Sequence, residues 1–153
     1  IPFIFDPGQG LPMFQGEELR RFIDQATWVT VNDYEWQLLQ ERTGYSERDV
    51  MDRVDALVVT RGAEGSRIHV RPDTVLDIPV VAPRVVNDPT GCGDAYRAGL
   101  LYGLMNDMDW DTTARIASLM GTIKVEYHGT QNHKIDRAGI AERFQEAWGY
   151  SLD

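Results

Sequence analysis

Cysteine is almost missing from this chain. Cys92 stands alone among 153 residues, so no internal disulfide is available, which fits a reducing, cytoplasmic setting. Positive charge is scarce as well. The formal net charge of -9 at pH 7 argues against a nucleic-acid backbone as partner. No apolar run approaches the length of a membrane span, so no membrane partner is expected. The histidines, His69, His128 and His133, lack a zinc-site spacing. There is no Gly-x-x-x-x-Gly-Lys-Ser/Thr loop, which excludes a Walker-type nucleotide site. A dinucleotide fingerprint starting at Gly91 and Gly93 would need a third glycine where Tyr96 stands. Internal repeats, low-complexity tracts and linkers are absent too. So is a start methionine: Ile1 opens an apolar run over residues 1–5 that reads as a buried strand. The chain is therefore expected to begin in the middle of a fold, and the lack of a signal peptide says nothing of location.

What is present is ordinary for a globular protein: 42% hydrophobic and 25% charged residues, in a length that suits one domain with a real core. Residues 1–5 end in Asp6-Pro7-Gly8, a strand entering a turn; Asp6 reads equally as a turn former or a ligand-edge residue. Leu19, Phe22, Ile23 and Ala26 share one face of a predicted helix over 16–26. A strand follows at 28–31, then a helix from Asn32 to about Arg42 with Gly44 as its stop. Asn32 and Glu35 have capping-box spacing. A short Ser-capped helix over 46–54 precedes an interior strand at 56–60. Thr60-Arg61-Gly62-Ala63-Glu64-Gly65 then turns into an alternating strand at 66–70, a hairpin in outline. Another strand is predicted at 75–80, near the sheet edge because of its proline.

The most informative stretch is Val85-Val86-Asn87-Asp88-Pro89-Thr90-Gly91-Cys92-Gly93-Asp94. A short β-branched run, a strand or an extended entry, meets a Gly-rich turn, and Ala95, Ala98, Gly99, Tyr102 and Gly103 continue at helical spacing. Unpaired first-turn N–H groups and the positive end of a helix dipole make an anion site, and Gly91 and Gly93 let the anion come close. Asp94 is the oddity. A carboxylate beside a phosphate costs Coulomb energy unless it accepts a proton from the attacking hydroxyl. The bland alternative is an aspartate that merely caps its helix. Cys92 could be a nucleophile at a helix start, but filling a tight turn as a small residue explains it better. Farther on, Ile116, Leu119, Met120, Ile123 and Tyr127 form the stripe of a helix starting at Trp110. The loop at 129–133 breaks it, and a last helix over 137–148 has Asp136 as its cap.

Asp-x-Thr-Gly-x-Gly-Asp followed by Ala-aromatic-x-Ala-Gly resembles the signature of the ribokinase-like (PfkB) carbohydrate kinases, which include adenosine kinases. Asn32-x-x-Glu35 and Thr60-x-Gly62-x-x-Gly65 match two further family motifs in family order. Cys92 and Tyr96 stand where the family more often has Ala and Phe. The resemblance implies a three-layer α/β fold with a mainly parallel sheet flanked by helices. It covers residues 1–153 as the C-terminal nucleotide-binding and catalytic part of such a kinase, without the N-terminal part and lid. It implies ATP-dependent phosphorylation of a sugar or nucleoside hydroxyl, with Asp94 as the base and the amides of Gly91, Cys92 and Gly93 as the anion hole. Asn32, Glu35, Thr60, Gly62 and Gly65 would serve the nucleotide, with Glu35 supporting Mg2+, most simply through water. Gly129, Asn132 and His133 would flank the adenine, and Asp88 and Thr90 would hold a monovalent cation such as K+ in members that use one. The wording around Asp6 and around 129–133 is closest to bacterial adenosine-kinase-like members. A homo-oligomer would suit an open sheet edge. The rival reading is a non-catalytic nucleotide-binding or interaction domain that keeps the pocket; a carboxylate at 94 would bring such a domain nothing.

Overall fold

The computed structural model describes residues 1–152, and the chain divides into two compact units, Ile1–Asp77 and Ile78–Asp153. The first holds the sheet. Strands β1 (Ile4–Phe5), β2 (Trp28–Asn32), β3 (Ala56–Thr60), β4 (Ser66–Val70) and β5 (Thr74–Ile78) lie in the order β1-β2-β3-β4-β5. β1, β2 and β3 run parallel, and β4 returns antiparallel to β3, so the sheet is mixed. Helices α1 (Gly16–Gln25), α2 (Asp33–Thr43) and α3 (Glu47–Met51) flank it.

The β-branched, apolar strands are buried on both faces, as parallel strands usually are. Val29, Val31, Leu57 and Val59 join Leu11, Leu19, Ile23, Leu39, Val50 and Val54 in one core cluster. The alternate row, Thr30, Val58 and Ile68, stands in register across three strands and is buried as well. Burying one such aliphatic side chain stabilises by roughly 1.5–3 kcal/mol. Phe22 seals the edge of the cluster between Phe5 and Phe14, with ring centroids 5.3 and 5.4 Å away.

The second unit contains α4 (Cys92–Met105), α5 (Trp110–Val125) and α6 (Arg137–Trp148). α4 lies hard against α5 because Gly99 and Gly103 carry no side chain. A Cβ at Gly99 would come within 2.6 Å of the Ala117 backbone, and one at Gly103 would run into Thr113. Ile116, Leu119, Ile123 and Phe144 form the core beyond, with Ile140 and Trp148 packed on it. No helix among the described residues is long and apolar enough to cross a membrane.

Three local expectations are corrected. The first strand is only Ile4–Phe5: Ile1 is fully exposed and Phe3 partly so, hence the opening apolar run is not buried throughout. Val85 and Val86 form no strand and are exposed; their segment is held by hydrogen bonds to the end of α5 instead. Tyr127 lies beyond α5 and is exposed, because the helix stops at Val125.

Candidate active site

Within the first unit, the parallel strands bring two of the motifs side by side. Asn32 ends β2 and Thr60 ends β3, and the two are register partners. Carboxyl ends of parallel strands are where open α/β sheets place ligands. The capping box forms in full: Asn32 Oδ1 accepts the Glu35 amide at 2.7 Å, and Glu35 Oε2 accepts the Asn32 amide at 2.9 Å. Glu35 is thereby fixed at the strand edge. After Thr60 the chain turns through a short 3-10 segment, Gly62–Glu64, closed by the Arg61 amide on the Gly65 carbonyl at 2.8 Å.

The second unit gathers the remaining residues at the start of α4. Gly91 is the helix N-cap, with φ of 84°, and the Ala95 amide makes the first intrahelical bond to its carbonyl at 3.0 Å. The amides ahead of Ala95 belong to the first turn, where the helix offers them no acceptor. One is engaged locally: the Cys92 amide donates to the Pro89 carbonyl at 3.1 Å. Burial pushes the Cys92 thiol up, as suits a turn filler rather than a nucleophile. Asp94 lies in the first turn of α4, and its side chain is 76% exposed, open to a solute. Arg97 donates to its Oδ1 at 2.6 Å.

Asp88 and the 129–133 loop meet at this turn. Asp88 Oδ1 accepts the Thr90 amide at 2.9 Å, and its Oδ2 accepts the Gly129 amide at 2.8 Å. The Thr90 amide and hydroxyl and the Gly129 amide hold the Asp88 carboxyl down at about 2, with help from the Lys124 charge. Gly129 is left-handed at φ 77°, and Asn132 Nδ2 closes the loop on the His128 carbonyl at 2.9 Å. Thr130 approaches so closely that a Cβ on Gly91 would lie 3.0 Å from its carbonyl oxygen. His133 Nδ1 is buried and unpaired among the described residues, a polar atom awaiting a partner in a cleft it shares with Ile135, Asp136 and Gly139.

The family model of the pfkB carbohydrate kinases matches residues 3–137. The chain belongs to the pfkB family. A nucleoside kinase of Methanocaldococcus jannaschii is 33% identical over 142 residues, which cover 93% of this chain and 47% of that protein. One from Methanothermobacter thermautotrophicus is 34% identical over 147 residues, 95% of this chain and 47% of that one. Among solved structures, the Burkholderia thailandensis nucleoside kinase in complex with inosine is 51% identical with a TM-score of 0.96, covering 99% of this chain and 50% of that one. The same enzyme has been solved in complex with ADP-inosine. The chain thus spans about half the length of the relatives it matches. With this pfkB membership the architecture is the ribokinase-like one, an α/β fold with a mixed sheet flanked by helices.

Two residues at the pfkB signature escape the sequence reading. Arg97 had a faint signal, an arginine three positions after an aspartate on a helix. Lys124 had none. It lies in the last turn of α5 and is fully buried, with Nζ donating to the Asp88 carbonyl at 2.7 Å and the Tyr127 carbonyl at 3.2 Å.

Proposed function

We propose that the protein carries out ATP-dependent phosphorylation of a nucleoside hydroxyl. The observation that carries this reading is the start of α4, where a left-handed glycine opens the helix and an exposed carboxylate stands in its first turn. A phosphoryl group at that helix start would meet first-turn amides and the positive end of the dipole. Asp94 would take the proton from the attacking hydroxyl, while the Gly91 and Gly93 amides would offset the charge developing on the phosphoryl oxygens. Nucleoside, rather than another sugar, is favoured by the 51% identity to a kinase solved with inosine.

Each unit, taken by itself, offers residues that suit part of an ATP molecule. Thr60 and Gly62 sit at a strand's carboxyl end, and the unpaired His133 Nδ1 in the 129–133 loop supplies a site for a polar group of the nucleotide. Glu35 uses Oε2 in its capping box, which leaves the other oxygen to hold a magnesium-bound water. Mg2+ would there neutralise phosphate charge.

The test replaces Asp94 by Asn in the protein as its gene encodes it. Asn keeps the size of the side chain, which caps nothing here because Gly91 is the N-cap, but accepts no proton near neutral pH. Turnover should fall by at least about a hundredfold, the lower end of a general base's contribution. ATP affinity should hold or rise, since a negative charge beside the phosphates is gone. Turnover within a few-fold of the parent at normal ATP affinity would refute the assignment.

A further inference from the structure

The buried ammonium of Lys124 has no part in the chemistry above, yet it is fully enclosed. Burying a charge costs several kcal/mol unless compensated, so its surroundings should show what compensates it. They form a cation site. Two backbone carbonyls, of Asp88 and Tyr127, accept from Nζ at 2.7 and 3.2 Å. The nearby Asp88 carboxylate feels the ammonium's charge. The last turn of α5 adds the negative end of its dipole. Carbonyl oxygens, one carboxylate and a helix C-terminus are what a monovalent metal ion would be offered.

The choice of residue fits that reading. Thirteen of the fifteen basic residues are arginines; Lys124 and Lys134 are the only lysines. Arginine's planar fork matches carboxylates and phosphates, whereas an ammonium is a compact point charge with three donors. A small sphere of charge is what converging carbonyls require. Meanwhile each oxygen of Asp88 already accepts a backbone amide, Oδ1 that of Thr90 and Oδ2 that of Gly129, so the carboxylate is anchored to both segments that Lys124 bridges.

We propose that the Lys124 ammonium takes, from within the chain, the place of a monovalent cation, tying the Asp88–Asp94 turn to the 127–133 loop without K+. It is a positioning residue: it touches neither substrate nor nucleotide but holds the segment that carries Gly91, Gly93 and Asp94. The inference rests on the kinase reading only where turnover is measured; the melting experiment stands without it.

The experiment compares potassium chloride with tetramethylammonium chloride at equal ionic strength, on the protein as its gene encodes it. Parent protein should melt at the same temperature in both salts and phosphorylate nucleoside at rates within about twofold. Lys124→Ala should melt about 10 °C lower in tetramethylammonium, as expected when a buried charge is lost from its partners. K+ at tenfold its dissociation constant should restore about 3–6 °C of that. A merely structural lysine would give an equal loss in both salts, and that result would overturn the proposal. So would a parent whose melting or turnover needs K+. If Lys124→Ala fails to fold, Lys124→Met keeps the stem and replaces it; should that fail too, the parent's response to K+ decides. Parent protein that melts normally in both salts yet phosphorylates nothing would count against the kinase reading and leave the melting result standing.

Discussion

At Gly91 two demands coincide. The backbone is left-handed, and a Cβ would lie 3.0 Å from the Thr130 carbonyl oxygen. Gly44, the C-cap of α2, has a similar φ of 71° but open space around it. Comparing alanine at the two positions separates conformation from crowding. Gly44→Ala should cost about 1–2 kcal/mol, the left-handed penalty alone. Gly91→Ala should cost at least about 1 kcal/mol more, because the loop backbone at Thr130 must shift. Urea unfolding of both variants reads the difference, and equal losses would mean that the close approach carries no energy. At this scale the sequence was informative where side chains bond their own neighbours, as Asn32 and Glu35 do. It was silent at Lys124, whose partners are the carbonyls of Asp88 and Tyr127. Backbone oxygens are the same at every position, so no pattern of residue types marks the two that converge.

Among the elements, the end of α5 shows how an irregular segment is held in place. Val125 accepts both the Asn87 and the Asp88 amides, and Asn87 Nδ2 reaches the Glu126 carbonyl at 2.6 Å. These bonds satisfy helix carbonyls that would otherwise lack partners. The Glu126 carboxylate takes both Nη atoms of Arg143 on α6 and the Arg84 amide at 2.7 Å. That pair is nearly enclosed, with side-chain exposures of 8% and 11%. Glu126→Ala should therefore destabilise by about 3–5 kcal/mol, since the Arg143 guanidinium is left buried without its partner. A loss below about 1 kcal/mol by calorimetry would show the pair to be solvated. The helices were legible from their apolar spacing and from caps such as Asp136, which accepts the Gly139 amide at the start of α6; the Asp109 cap of α5 was not foreseen. The 85–88 segment was not legible, because β-branched residues spell a strand wherever they occur. Here the end of a helix outcompetes any strand partner.

For the whole molecule, acid is the informative variable. Asp49, Asp77, Asp88, Asp109 and Glu126 are all held below their ordinary carboxylate range by hydrogen bonds and neighbouring cations. A depressed folded-state value means stability that is fully present above the unfolded value and is lost as pH falls through the folded one. For Asp88 that window runs from 3.8 down to about 2. Asp88→Asn should accordingly be less stable than the parent above about pH 4, with the gap closing towards pH 2. Urea midpoints across that range check it; a gap of constant size would deny the carboxylate its role. The α/β class and the order of the motifs could be read from the sequence, since strand periodicity and signature residues are local. The division into two compact units could not, as no break in composition marks residue 77. The bond between Asp88 and the Gly129 amide has one more consequence. It joins positions 41 apart in the sequence into a ring, α4 and α5 included. A chain with a single cysteine cannot fasten such a ring with sulfur. Here the clasp is a carboxylate, so what redox potential would govern in a disulfide is governed by proton concentration.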